Sequence, residues 1–155
     1  DKFAKLADYI FNKYHAKIII IGGPNDIEVD EMISFIDKDS NFINVRGLFS
    51  IEELKALISK LNLFISVDTC PIYIAEAFSV TTIDIIGTMD EREQPPIDKL
   101  HKIVVIKRQK PELHIMNSRV YDEKEARRQI EAISVEMVIK ELDNLMRDIY
   151  PKNNL

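Results

Sequence analysis

Apolar positions along the chain follow two rhythms. Phe3, Leu6, Ala7, Ile10 and Phe11 recur at three- and four-residue spacing, which predicts an amphipathic helix over residues 2–14. KIIIIGG (17–23) is instead a continuous β-branched run closed by two glycines, the pattern of a strand covered on both faces. A second helix follows, with Val29, Met32, Ile33 and Ile36 on its apolar face and Asn25 or Asp26 as its cap. FINVRG (42–47) predicts a weaker strand. Ser50-Ile-Glu-Glu53 fits a capping box, and Ile51, Leu54, Leu57, Ile58 and Leu61 form the buried stripe of the helix behind it. LFISV (63–67), TTIDIIG (81–87) and KIVVIK (102–107) predict three more strands, the first two joined by a short helix over 71–79.

Beyond these strands the pattern changes. TMDEREQPPIDKLH reads as an exposed polar loop with paired prolines, and residues 108–122 carry little periodicity. From Glu123 to about Ile149 a stripe of Val135, Val138, Ile139, Leu142, Leu145, Met146 and Ile149 predicts helix. Ser134 can cap its second part, so one long helix and two shorter ones both fit. PKNNL reads as a frayed tail.

Strands alternating with helical stretches predict βαβ units. The fold class is therefore α/β, a doubly wound, mainly parallel sheet, with residues 1–155 as a single domain. Ligands of such sheets bind beyond the carboxyl ends of the strands. The candidate site loops are then Gly22–Asp26, Gly47–Ser50, Asp68–Pro71 and Gly87–Asp90.

Composition narrows the function classes. The net charge of −5, from 21 Lys and Arg against 26 Asp and Glu, argues against nucleic acid or an anionic membrane surface as partner. The lone Cys70 excludes an internal disulfide framework and suits a reducing compartment. No apolar run approaches the roughly 20 residues of a spanning helix. The chain opens directly in helical pattern without Met, as an excised piece would.

Several chemistries are missing from the sequence. There is no GxGxxG, Walker A, GxSxG or HExxH motif, and the four glycines are too few for a Gly-rich phosphate loop. His15, His101 and His114 share no metal-ligand spacing and read as surface residues. Cys70 has no neighbouring His and reads as an inert small side chain, not a nucleophile.

Four stretches in fixed order carry a more specific signal: KFAKLADYIFNKYHAKIIIIGGPND, NVRGLFSIEELKALISKLNLFISV, SVDTCPIYIAEAFSVTTIDIIGT and AISVEMVIKELDNLM. Together they resemble the ADP-heptose:lipopolysaccharide heptosyltransferases, glycosyltransferase family nine, whose pattern reads roughly S-V-D-T-G-P-x-H-x-A-x-A and then a strand ending F-G-P-T. The resemblance implies the C-terminal, donor-binding half of a GT-B fold built from two Rossmann-like domains. It also implies inverting, metal-independent transfer from a nucleotide-sugar, ADP-heptose above all, to a lipopolysaccharide-type glycan or lipid-linked acceptor. No cofactor is implied. The parent protein would work in the cytoplasm, peripherally at the inner membrane, with the acceptor held by an N-terminal domain absent here.

The same resemblance assigns donor-binding residues. Asp68 and Thr69 match the D-T segment that contacts the nucleotide-sugar. Asp26 after Gly23 and Pro24 stands at an acidic position suited to ribose hydroxyls. Leu48 and Phe49 stand where the base pocket is lined, and Gly87 and Thr88 match the small loop after the next strand. Pro71 suits a first helical position, so amides from Thr69 to Ile72 would face a diphosphate at the positive end of the helix dipole.

Each residue also has a plainer use. Asp68 can cap its turn, Phe49 can be core or staple, Gly22 and Gly23 can serve turn geometry, and Asp26 can cap a helix. Cys70 replaces the family's glycine, Tyr73 its histidine, and Thr88 stands where proline is common. No catalytic residue can be assigned, because the expected base lies in the absent domain. The first strand of this domain is also absent and would lie between KIIIIGG and LFISV. It must come from another segment, another chain or a rearranged pairing, and bare sheet edges are a route to self-association. The alternative reading is a non-catalytic or divergent Rossmann-like nucleotide-binding domain.

Overall fold

A computed structural model describes residues 2–37, 41–88, 98–106 and 123–149. It divides into two compact units, Asp1–Leu54 and Lys55–Leu155. The polar loop over 89–97, His114 and the weakly periodic stretch before Glu123, and the tail lie outside the described residues.

In the first unit, α1 (Lys2–Tyr14) precedes β1 (Ile18–Ile20), α2 (Glu28–Ser34) and β2 (Phe42–Asn44). The two strands pair in parallel, Ile18 with Phe42 through Ile20 with Asn44. Ala4 and Ala7 of α1 join Ile20 and Ile36 in a buried cluster, against which Ile18, Val29, Met32, Ile33 and Phe42 pack. The predicted stripe of α1 reaches the interior at Leu6 and Ala7, but Phe3 is exposed and Ala4, outside that stripe, is buried in its place. The cap of α2 does not follow the expectation. Its N-cap is Ile27, already helical in φ and ψ and without a side-chain bond, while the Asp26 carboxylate turns back to the Gly23 amide at 2.6 Å. β2 also stops earlier than FINVRG suggests. The Val45 and Gly47 amides still reach the Ile20 and Gly22 carbonyls at 2.9 Å, while Asn44 Oδ1 accepts the Arg46 amide at 3.1 Å and Gly47 turns the chain at φ +69°.

The helix α3 (Ile51–Ile58) opens on the predicted capping box. The Ser50 amide and hydroxyl both donate to Glu53 Oε2 at 2.8 Å, and the Glu53 amide returns to Ser50 Oγ at 3.4 Å. These bonds hold the Glu53 carboxyl below the usual range, the amide bond contributing most.

The second unit holds β3 (Leu63–Val67), α4 (Cys70–Ala77), β4 (Thr81–Ile85), β5 (His101–Val104), α5 (Glu123–Ala132) and α6 (Val135–Ile149). The sheet order is β3-β4-β5, and both ladders are parallel. As the central strand, β4 buries four successive residues, Thr81 to Asp84, which is why TTIDIIG shows no alternation. Val138, Leu142 and Leu145 are the buried stripe of α6. Ser134 Oγ accepts the Met137 amide at 3.3 Å, so the open choice resolves to two helices. β5 begins one residue before KIVVIK, and His101 is 3% exposed. The expectation of surface histidines therefore fails for His101. It lies in register with Thr82 of the central strand and bonds its hydroxyl. No helix among the described residues is long and apolar enough to cross a membrane.

Two substitutions test this architecture. Ile83 is fully buried on β4, so Ile83→Ala should cost about 2–5 kcal/mol in chemical denaturation. A methyl group on Gly47 would lie 2.9 Å from Pro24 Cα at a left-handed φ. Gly47→Ala should therefore lower stability by about 1–2 kcal/mol, with no side chain able to move aside.

Candidate functional site

The second unit gathers Asp68, Thr69, Cys70, Gly87 and Thr88 because two strands end together. Val67 and Ile85 are register partners, and the Asp68 amide extends the pairing to the Ile85 carbonyl at 3.3 Å. Thr69, in extended conformation, is the N-cap of α4, and Pro71 occupies its first turn. The Ile72 amide bonds the Thr69 carbonyl at 3.0 Å, and Pro71 has no N–H to offer. Of the four residues expected to present amides, that leaves Thr69 and Cys70, whose N–H groups meet no protein acceptor among the described residues.

The side chains at the same turn are more committed than the sequence implied. The Thr69 hydroxyl donates to the Val67 carbonyl at 3.1 Å and receives the Ser66 hydroxyl at 3.2 Å. It can still accept from a ligand, but its proton is used locally. The Asp68 carboxylate does not cap the turn: it accepts the phenol of Tyr73, one helical turn into α4. Burial first, then the Asp68 bond and charge, hold that phenol well above its ordinary range. Cys70, the first residue of α4, is exposed. A side chain on Gly87 would start 2.8 Å from Ile130 Cγ1 of α5, so this loop is small because α5 covers it.

Sequence reasoning overlooked what lies on the sheet face toward α4. Ser66, Asp84 and Ile103 are register neighbours across β3, β4 and β5. Two residues earlier on that face Thr82 Oγ1 meets His101 Nδ1 at 2.9 Å, and His101 Nε2 lies 3.6 Å from Asp98 Oδ1. Asp84 is 5% exposed, and its Oδ1 has no hydrogen-bond partner among the described residues. Burial, then the charges of Asp68 and Glu76, push its carboxyl up to about 7. Burial raises the Glu76 carboxyl too, opposed by His101 and reinforced by Asp98 and Asp68. The signal was available: an ionisable residue between the two isoleucines of a central strand needs a reason.

The first unit places Gly23, Asp26 and Phe49 on the loops that follow β1 and β2. These loops are stitched by the Gly47 amide to the Gly22 carbonyl at 2.9 Å. Arg46, also missed, clamps them: Nη1 donates to the Pro24 carbonyl at 3.1 Å and Nη2 to Asp30 Oδ2 at 2.8 Å. Cβ atoms built on Gly22 and Gly23 would approach Asp26 Oδ2 to 3.0 and 3.4 Å. Both glycines thus make room for the carboxylate that closes their own loop. Leu48 and Phe49 are exposed, at 68% and 42%, so Phe49 is not core. Among the described residues no group of three His, Cys, Asp or Glu side chains could hold a metal ion.

The comparisons with known proteins agree with this architecture. Residues 1–120 match the family model for glycosyltransferase family 9 (heptosyltransferase). No curated protein matches. Among solved structures, a glycosyl transferase family 9 protein from Veillonella parvula DSM 2008 aligns at TM-score 0.72 and 23% identity over 95% of this chain. The E. coli ADP-heptose LPS heptosyltransferase II aligns at TM-score 0.73 and 15% identity over 96% of it. In both cases the chain spans 41% of the other protein's length. At these identities the two neighbours speak for the fold, a mixed α/β, parallel-stranded, Rossmann-like half of a GT-B glycosyltransferase. By the family match over most of its length, the chain belongs to glycosyltransferase family 9, the heptosyltransferases.

Proposed function

We propose that residues 1–155 act as one donor-binding domain of a heptosyltransferase-type enzyme. It would hold an ADP-sugar such as ADP-heptose while a lipopolysaccharide-type glycan attacks it. The observation that carries this reading is the turn at the start of α4. The Thr69 and Cys70 amides have no protein acceptor among the described residues and lie at the positive end of a helix. A diphosphate satisfies both, and the same amides and dipole stabilise charge on it as the glycosidic bond breaks. In the second unit Asp68 is the carboxylate suited to sugar hydroxyls, with Gly87 and Thr88 on the neighbouring loop; in the first unit Asp26 is the carboxylate suited to ribose hydroxyls, on loops that also carry Gly23 and Phe49.

Transfer is inverting and needs no metal. A base on the acceptor side removes the hydroxyl proton as the oxygen attacks opposite the leaving diphosphate. The chain spans 41% of each structural neighbour's length, and we assign that base and the acceptor pocket to the rest of the parent protein. The parent works in the cytoplasm, at the inner-membrane surface where the acceptor resides. A second reading, a divergent nucleotide-binding domain, is favoured by one observation: Tyr73 already occupies the Asp68 carboxylate.

Calorimetry on the intact protein with ADP-, UDP- and GDP-sugars separates the readings. ADP-sugar should bind most tightly, and Asp68→Asn should weaken it about tenfold, the value of one hydrogen bond to a charged group. Absence of binding to all three sugars overturns the donor-site reading. Preference for a UDP-sugar keeps the site and changes the substrate.

A further inference from the structure

The carboxyl of Asp84 has no function in the reading above. It lies on the central strand, 5% exposed, and its Oδ1 has no partner among the described residues. Groups face it from each neighbouring element. On the loop and α4 these are Asp68, Tyr73 and Glu76, all of which interact with it electrostatically. On β3 its register partner is the neutral Ser66, and on β5 it is Ile103. His101 of β5 lies further along the face, bonded to Thr82 and near Asp98. Among the described residues no cation therefore directly opposes Asp84, while two carboxylates and a phenol interact with it.

We propose that Asp84 is a titratable positioning residue for the site turn. With its proton in place, the Asp68–Tyr73 pair and the first turn of α4 close over the sheet. Without it, a third carboxylate beside Asp68 and Glu76 drives that turn open. The inference holds whatever ligand the turn accepts, because it concerns the turn's own closure.

The direction with pH follows from linkage. The folded protein holds this proton up to about pH 7, whereas an unfolded Asp releases it near 3.9. The stabilising contribution of the neutral carboxyl is complete below about pH 4. It is lost as pH rises through about 7.

The test is made on the intact protein. Carboxyl-carbon NMR should show Asp84 titrating near neutrality, and Glu76→Gln should lower that midpoint by removing a like charge. Amide exchange at Ile72 and Tyr73 should accelerate about tenfold more in the wild type than in Asp84→Asn between about pH 6 and 8, as expected where opening releases a proton. The Asn variant keeps the shape and cancels the intrinsic pH dependence of exchange. Should it fail to fold, the wild-type and Glu76→Gln titrations decide alone. An Asp84 midpoint in the ordinary carboxylate range overturns the proposal. So does identical exchange at all pH values in wild type and Asp84→Asn.

Discussion

Parallel pairing is the constraint from which the rest follows. A parallel strand cannot join its neighbour by a hairpin, so the chain must return along the sheet, here through α4 between β3 and β4. That return sends every strand out of the sheet at the same end. The ladder from Leu63–Thr81 to Val67–Ile85 therefore places the turn after β3 beside the turn after β4. The Asp68 amide bonded to Ile85 is the ladder's last step, and Thr69 is simultaneously the first step of α4. Site and scaffold share one backbone path. Within Asp1–Leu54 the same logic brings the loops after β1 and β2 together.

Polar groups at such a turn must be satisfied from nearby. Ser66, Thr69 and Val67 form a closed chain of donors and acceptors, and Tyr73 serves Asp68. What escapes closure is the pair of amides that helix geometry orphans at every N-terminus. An anion completes them more effectively than water because the helix dipole adds to the hydrogen bonds. The thiol of Cys70 projects from one of those two residues and is exposed. It narrows the approach but withdraws neither donor.

How much of this was legible follows from what each pattern encodes. Helical spacing in Val138, Leu142 and Leu145, or in Leu6 and Ala7, records burial directly, so those elements and most of their inner faces were readable. The capping box at Ser50 was readable because both partners lie within one turn. Element ends were less so: β2 is regular only over Phe42–Asn44, short of what FINVRG suggests, and α2 begins without the cap that Asp26 suggests. The latter depends on which of two local hydrogen bonds prevails, and spacing does not record that. His101 was misjudged because its burial rests on Thr82, nineteen residues away. Asp68 and Thr69 were found by motif, yet their present partners depend on how α4 turns back. Arg46 was missed because its partners, Pro24 and Asp30, belong to another loop and helix.

Asp84 presents the sharpest conflict between local rule and structure. The centre of a sheet covered on both faces favours Val, Ile or Leu, and Ile83 and Ile86 beside it are buried in that way. A carboxyl there lowers stability whenever it is ionised, and an apolar side chain would remove the conflict without disturbing the ladder, which uses backbone alone. Ser66 offers a hydroxyl on the neighbouring strand, but that hydroxyl is already directed to Thr69. The fold thus gains nothing from Asp84 that its neighbours could not supply. Such local conflicts are concentrated where function imposes a second demand on the chain. The surface above Asp84 carries Asp68, Tyr73 and the orphan amides, which is where that demand would be felt. Protonated, this acid leaves the turn's positive end unopposed, and ionised it would compete with any anion bound there.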